Sequence, residues 1–330
     1  MIQPKLALPM AFCVCLSAAL SVDAAQKPAP APAPAKGGWS AAEMPSPPPS
    51  YDPAYAAYDA GRYDQAFKLA AEAAAKGESQ ADTLIGLLYE QGLGVAKSET
   101  KAVEWYTKGA VAGDKHAQFQ LGLMLAKGRG IKKDEKKAAD FFEAAAQQGH
   151  TLAAYNLAQS YIEGWARPQD MQKAAYLLEQ AARKDHAQSA YDLAALYRNG
   201  EGVPKDDAKA AEWLKKAADL GNADALVEYA VMVGKGIGVP RDEAASVTLF
   251  RLAAERGSVV AQNRLARAYS AGIGVPKDIV QAAKWHLLAR QGGEADLRLD
   301  LLVMSLRPEE RKRAEALAQA WRERTGEATR

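Results

Sequence analysis

Between residues 78 and 293 the apolar positions fall on two alternating helical stripes. In the first, Ala81, Ile85 and Tyr89 recur at i, i+4 and i+8, and the spacing returns as Ala153, Leu157, Tyr161 and as Ala261, Leu265, Tyr269. Such a stripe covers one face of an α-helix, so each segment predicts an amphipathic helix, helix A. The second stripe sets small residues beside large ones: Ala102, Trp105, Gly109, then Ala210, Trp213, Ala217, then Ala282, Trp285, Ala289. Small side chains let two helix axes approach to about 8–10 Å while an aromatic fills the space beside them. This predicts a helix B laid against helix A.

The pair recurs with a period of 36 in six abutting units, 78–113, 114–149, 150–185, 186–221, 222–257 and 258–293. Gly92, Gly128, Gly164, Gly200, Gly236 and Gly272 share one column, where a residue without Cβ suits the left-handed cap that ends helix A. Two residues on come Gly94, Gly130, Ala166, Gly202, Gly238 and Gly274. The loop then reads GVPKD at 202–206 and 274–278 and GVPRD at 238–242, with Val able to plug the core and Pro to stiffen the turn. Ser98 and then Asp134, Asp170, Asp206, Asp242 and Asp278 stand where an N-cap should receive the first free amides of helix B. Gly113, Gly149, Gly221, Gly257 and Gly293 close helix B, with Asp185 in their place in the third unit. A unit of this size cannot bury its apolar face alone, so the chain is expected to be an all-α solenoid of stacked antiparallel helix pairs.

An open stack needs modified ends. Residues 54–77 resemble a shortened unit, with a tight turn from Tyr58 to Tyr63, and are expected to cap the N-terminal side. Residues 294–330 are expected to supply capping helices and a tail, with Pro308 in the first turn of a last helix running to about Trp321. Upstream, residues 25–53 hold nine prolines and almost no aliphatic side chains, which suits a solvated polyproline II tether. Trp39 is its one candidate anchor for a docking contact. Residues 1–24 read as an export signal: Lys5, an apolar run over 6–21, and small residues at Val22 and Ala24 before the expected cleavage. The run is shorter than the ~20 residues that span a bilayer and contains Pro9, which disfavours a permanent anchor. Phe12 before Cys13 and Val14 before Cys15 do not form a lipidation box. These are the only cysteines, so the processed chain has no thiol to oxidise. Periplasmic export is the expectation, with secretion or a retained anchor as alternatives. Of 330 residues 48% are apolar and 25% charged, and 42 basic against 40 acidic side chains leave +2, which excludes the basic footprint of a general nucleic-acid binder.

These units resemble the Sel1-like repeat family, relatives of the tetratricopeptide repeats. Unit four shows the pattern as AYDLAALYRNGEGVPKDDAKAAEWLKKAADLG at 190–221, while unit three departs at Trp165 and Ala166 and unit five at Val233 and Ser246. The resemblance covers 78–293 densely and 54–77 more thinly. It implies an adaptor or scaffold; exported bacterial members include regulators of sensor kinases, envelope-polymer secretion scaffolds and host-interaction factors. It also implies that the face of helix A away from Ala81, Ile85 and Tyr89 lines a groove. A cysteine-rich branch is associated with penicillin binding or β-lactamase activity, from which a chain that has no cysteine after processing stands apart.

No GxSxG, HExxH or GxxxxGK[ST] occurs, and the Gly-x-Gly pairs lie in helix turns and not after strands, so no enzyme, cofactor or phosphate cradle is expected. His150 and His186 share a column, read as solvated helix starts with no third ligand for a metal; His286 reads as partly buried packing. The expected activity is binding. Column 83 carries Phe119, Tyr155 and Tyr191, an aromatic ladder beside the varied polar residues Gln120, Asn156 and Asp192 of column 84. Trp165 at a loop tip is a second candidate. The competing reading makes the ladder ordinary packing and Trp165 a loop plug. The chain is thus expected to hold a protein or peptide partner in the cell envelope, without nucleic acid and without stable membrane insertion after cleavage. A sensor-kinase regulator and a β-lactamase-like or cell-wall hydrolase are the alternatives.

Overall fold

A computed structural model describes residues 52–326, and every regular element among them is a helix. The segments read as signal and tether lie outside the described residues, apart from the tether's last two positions. After α1 (Asp52–Asp59) and α2 (Tyr63–Ala75) come α3 (Ser79–Gln91), α4 (Glu99–Val111), α5 (Lys115–Lys127), α6 (Glu135–Gln147), α7 (Thr151–Glu163) and α8 (Met171–Arg183). Then follow α9 (Ala187–Asn199), α10 (Asp207–Asp219), α11 (Ala223–Lys235), α12 (Glu243–Glu255), α13 (Val259–Ala271) and α14 (Ile279–Gln291). The chain ends with α15 (Leu297–Ser305) and α16 (Pro308–Thr325). From α3 to α14 every helix has 13 residues, odd-numbered ones being helix A and even-numbered ones helix B. Each packs on the next in sequence, giving the stacked solenoid that the period implied.

The loop chemistry explains the constant length. The column beginning with Gly92 is left-handed throughout, with φ from 69° to 76°, and its amide returns to the last turn of helix A. Ser98 and the five aspartates do cap helix B; Asp206, for example, accepts from the Lys209 amide at 2.9 Å. Their own amides donate back into helix A, as Asp206 does to Tyr197 O at 2.9 Å, so the loop is closed from both ends. Within a unit, small residues receive large ones: a Cβ on Gly86 would lie 2.6 Å from the Tyr106 ring. Ser246, where other units have Ala, is buried with its hydroxyl donating to Ala230 O at 2.6 Å. That bond removes the ~1–3 kcal/mol penalty of an unpaired buried hydroxyl.

Unit three deviates where its sequence does. Ala166 is absent from the left-handed residues, and Arg167 replaces the plugging Val, donating to Tyr161 Oη at 3.1 Å and to Asp140 and Glu143 at 2.8 Å each. In the same unit Asp185 ends helix B with φ 63°, the one non-glycine in the left-handed region among the described residues. Its carboxylate meets Lys216 at 3.0 Å but is exposed and well screened. Asp185→Gly is therefore expected to raise stability by about 0.5 kcal/mol, left-handed strain relieved less the added freedom of the unfolded chain, read as a higher denaturation midpoint.

At the C-terminal end α16 lies along α14, with Trp321 edge-on to Trp285 at 6.2 Å and its Nε1 donating to Glu255 at 2.9 Å. The helix continues past Trp321 to Thr325, where Gly326 turns left-handed. α15 packs on α13 and α14 and meets α16 through Arg311, which donates to the carbonyls of Val303 and Met304.

Candidate functional site

The A-helices begin on a second set of caps that sequence reasoning missed. Asp114, His150, His186, Asn222 and Ser258 all accept an amide of the first turn through their side chains. Four residue types in one column hide a shared role, whereas the repeated Asp of helix B announces it.

Column 83 reaches across to these caps. Thr83 donates to Asp114 at 2.8 Å, Phe119 stacks on His150 at 4.4 Å between ring centres, and Tyr155 lies 5.0 Å from His186. Asn263 donates to Asp296, the cap of α15, at 3.4 Å. Tyr191 departs slightly, donating to Glu228 at 2.6 Å one unit on. The aromatic residues thus join consecutive units, each to the next, and do not stack on one another as a ladder. Phe119 and Gln120 are only 6% and 7% exposed, so the structure removes both from the open face on which they were expected. For Phe119 the physical reason is the ring of His150, the next unit's cap, stacked over it.

Tyr155, Asn156, Tyr191 and Asp192 stay half-exposed on the A-helices of units three and four. Asn156 donates to Leu152 O at 2.8 Å in its own helix. Asp192 accepts from Gln159 at 2.9 Å and from Gln188 at 2.8 Å, joining units three and four. Burial raises the Asp192 carboxyl above its usual range, although these donors and Tyr155 pull it back. Burial, then the Asp192 charge, likewise raises the Tyr155 phenol. Glu228 takes both Tyr191 and Arg198, a second cluster that joins units four and five. Trp165 lies elsewhere, half-buried on the core cluster of units one to three, apart from this face.

The histidines are more enclosed than their helix-start positions suggested. His116 and His150 are buried with rings 5.1 Å apart, and His150 Nδ1 accepts from the Ala153 amide at 3.2 Å, leaving its proton on Nε2. Burial lowers His116 to about 4, against Asp114 and with Lys115; burial, His116, Lys115 and Lys184 lower His150 to about 3. His286 is buried and bonded through Nε2 to Asp300 at 2.8 Å. Among the described residues no group of three or more His, Cys, Asp or Glu is placed to hold a metal, and no helix is long and apolar enough to cross a membrane.

Helix pairs of constant length, stacked through caps and columns, define a solenoid repeat protein. The Sel1 repeat profile matches six consecutive stretches, 79–114, 115–150, 151–186, 187–222, 223–258 and 259–294, and the chain belongs to that family. It is similar to the Sel1 repeat protein of Oxalobacter formigenes, at 29% identity over 76% of this chain and 100% of that one, with a TM-score of 0.61. It is also similar to c5321, a protective antigen of uropathogenic Escherichia coli, at 26% identity over 83% of this chain and 68% of that one, TM-score 0.51. A comparison with curated proteins gives no match. Sel1 repeats generally serve as non-catalytic protein-interaction scaffolds.

Proposed function

We propose that this chain is an exported scaffold of the bacterial cell envelope that holds a protein or peptide partner along the A-helices of units three to five. The observation that carries the reading is a pair of adjacent clusters, Tyr155 and Gln159 on Asp192 and then Tyr191 and Arg198 on Glu228, which meet at the neighbouring residues Tyr191 and Asp192. It fixes half-exposed aromatic and polar groups in place before any partner arrives, so binding costs little side-chain ordering. Export is supported by the signal-like first 24 residues and the absence of cysteine downstream.

A photo-crosslinking residue placed at Asn156 is expected to capture a discrete envelope protein in intact cells, identified by mass spectrometry. One at Lys209, exposed on helix B of unit four, should not. Equal capture from both positions, or from neither, removes the A-helix face as the binding surface.

A further inference from the structure

α15 carries apolar residues on two opposite sides, with Arg298 and Asp300 between them. One side, with Leu299 and Leu306 at its base, is buried against α14 and its surroundings. The other carries Leu297, Leu301 and Met304, at i, i+4 and i+7, and these are 74%, 56% and 71% exposed. Three large apolar residues exposed along one side of a helix mark a contact surface. Counted from its cap at Asp296, α15 places Leu301 in the column that elsewhere reaches the next unit and Met304 in the column of Gly86, which elsewhere receives its own helix B. Here α16 lies on α14, so α15 is a helix A without a helix B of its own.

The stripe opens at Leu297 onto a cleft of about 720 Å³ between α12, α13 and α15. Its floor is apolar, with Val247, Phe250 and Leu299 buried. Its rim is basic: Lys235, Arg264 and Arg298 are exposed and enter no ion pair among the described residues, whereas the rim acids Glu243 and Asp296 are taken by Arg241 and Arg267. The exposed face is therefore an apolar groove bordered by unneutralised positive charge.

We propose that this end of the stack docks an acidic amphipathic helix of a partner protein, its apolar stripe covering Leu297, Leu301 and Met304 and its carboxylates meeting Lys235, Arg264 and Arg298. Helix-in-groove recognition suits a stripe of this spacing. A second copy would set the three cations against their equivalents, and among the described residues none before Val111 is a large apolar side chain exposed to receive the groove head-to-tail. The chain's own residues 25–51 carry Lys27 and Lys36 against Glu43 and have no acidic surplus. The site adjoins the A-helix face of units three to five, since Lys235 lies on α11, but it shares no residue with the hydrogen-bonded groups from Tyr155 to Glu228, so each can fail without the other.

Fluorescence anisotropy on the full chain tests this with a labelled, end-blocked helical peptide of about 18 residues carrying Leu at i, i+4 and i+7 and Glu on both flanks. Its counterpart has Lys for Glu. The acidic peptide is expected to bind at least about tenfold more tightly than the basic one, and to lose about tenfold with Leu301→Ser plus Met304→Ser and with Arg264→Gln plus Arg298→Gln. All four positions are exposed, so folding, checked by circular dichroism, should persist. Equal binding of the two peptides, or no loss in either variant, overturns the proposal. So does a concentration-dependent dimer abolished by the Leu301 and Met304 changes, which assigns the face to a second copy. Crosslinks from position 304 to residues 25–51 would overturn it in favour of the chain's own segment.

Discussion

A Gly238→Ala chain is expected to lose about 2–4 kcal/mol of stability, while Gly221→Ala loses about 1. Both glycines are left-handed, with φ of 67° and 94°, so both substitutions carry about 1–2 kcal/mol of strain less about 0.4–1 from a stiffer unfolded chain. What separates them is space. A Cβ on Gly221 meets nothing within 4 Å, whereas one on Gly238 overlaps the carbonyl of Asp207 at the start of α10, in the preceding unit. Backbone cannot swing away as a side chain can, so unit five's loop must lift from unit four. The column behaves alike: Gly94 would strike the Tyr63 carbonyl carbon at 2.6 Å, and Gly202 and Gly274 would overlap Met171 and Glu243. Chemical denaturation gives the totals, and hydrogen exchange should show opening centred on units four and five in Gly238→Ala alone. Equal losses from the two substitutions would mean that the close approach carries no energy beyond the dihedral strain.

The second large effect is acid sensitivity. Unfolded, His116 and His150 take up protons near the ordinary value of 6.5; folded, they do so only near 4 and 3. Between those limits the unfolded state holds more protons. Their contribution is therefore complete above pH 6.5 and drains away as the pH falls, at up to about 1.4 kcal/mol per pH unit for each ring. Denaturation midpoints measured from pH 7.5 to 4.5 should fall accordingly. Asp192, raised by burial, works in the opposite sense, so Asp192→Asn should steepen the fall. His150→Asn should remove roughly half of the slope contributed by the two rings while keeping the cap, since Asn222 caps α11 from the same column at 2.9 Å. A slope unchanged by His150→Asn would show that these rings are not what titrates.

The candidate face was only partly legible. Tyr155, Asn156, Tyr191 and Asp192 keep the partial exposure that their columns suggested, because residues 36 apart tend to share an environment when units stack. Phe119 was placed with them on the same reasoning, yet it is buried, since the His150 ring closes over it. No property of Phe119 itself announces this. It depends on what the next unit offers at a different position, and that contact spans 31 residues. Arg167 shows the same limit: in sequence it merely replaces a Val, but in space its guanidinium binds two carboxylates of the preceding unit.

By itself the sequence determined the helix pairs, their period, the Asp caps of helix B and the glycine turns, because each depends on local hydrogen bonding and on an apolar stripe within a dozen residues. Tertiary structure decided which members of a column are covered, how deeply the histidines sit, and that α16 folds back on α14 to leave α15 without its own partner. Those outcomes depend on the competition between neighbouring units for the same apolar surface. Such competition is settled by packing between segments far apart in the chain, and local pattern carries no record of its result.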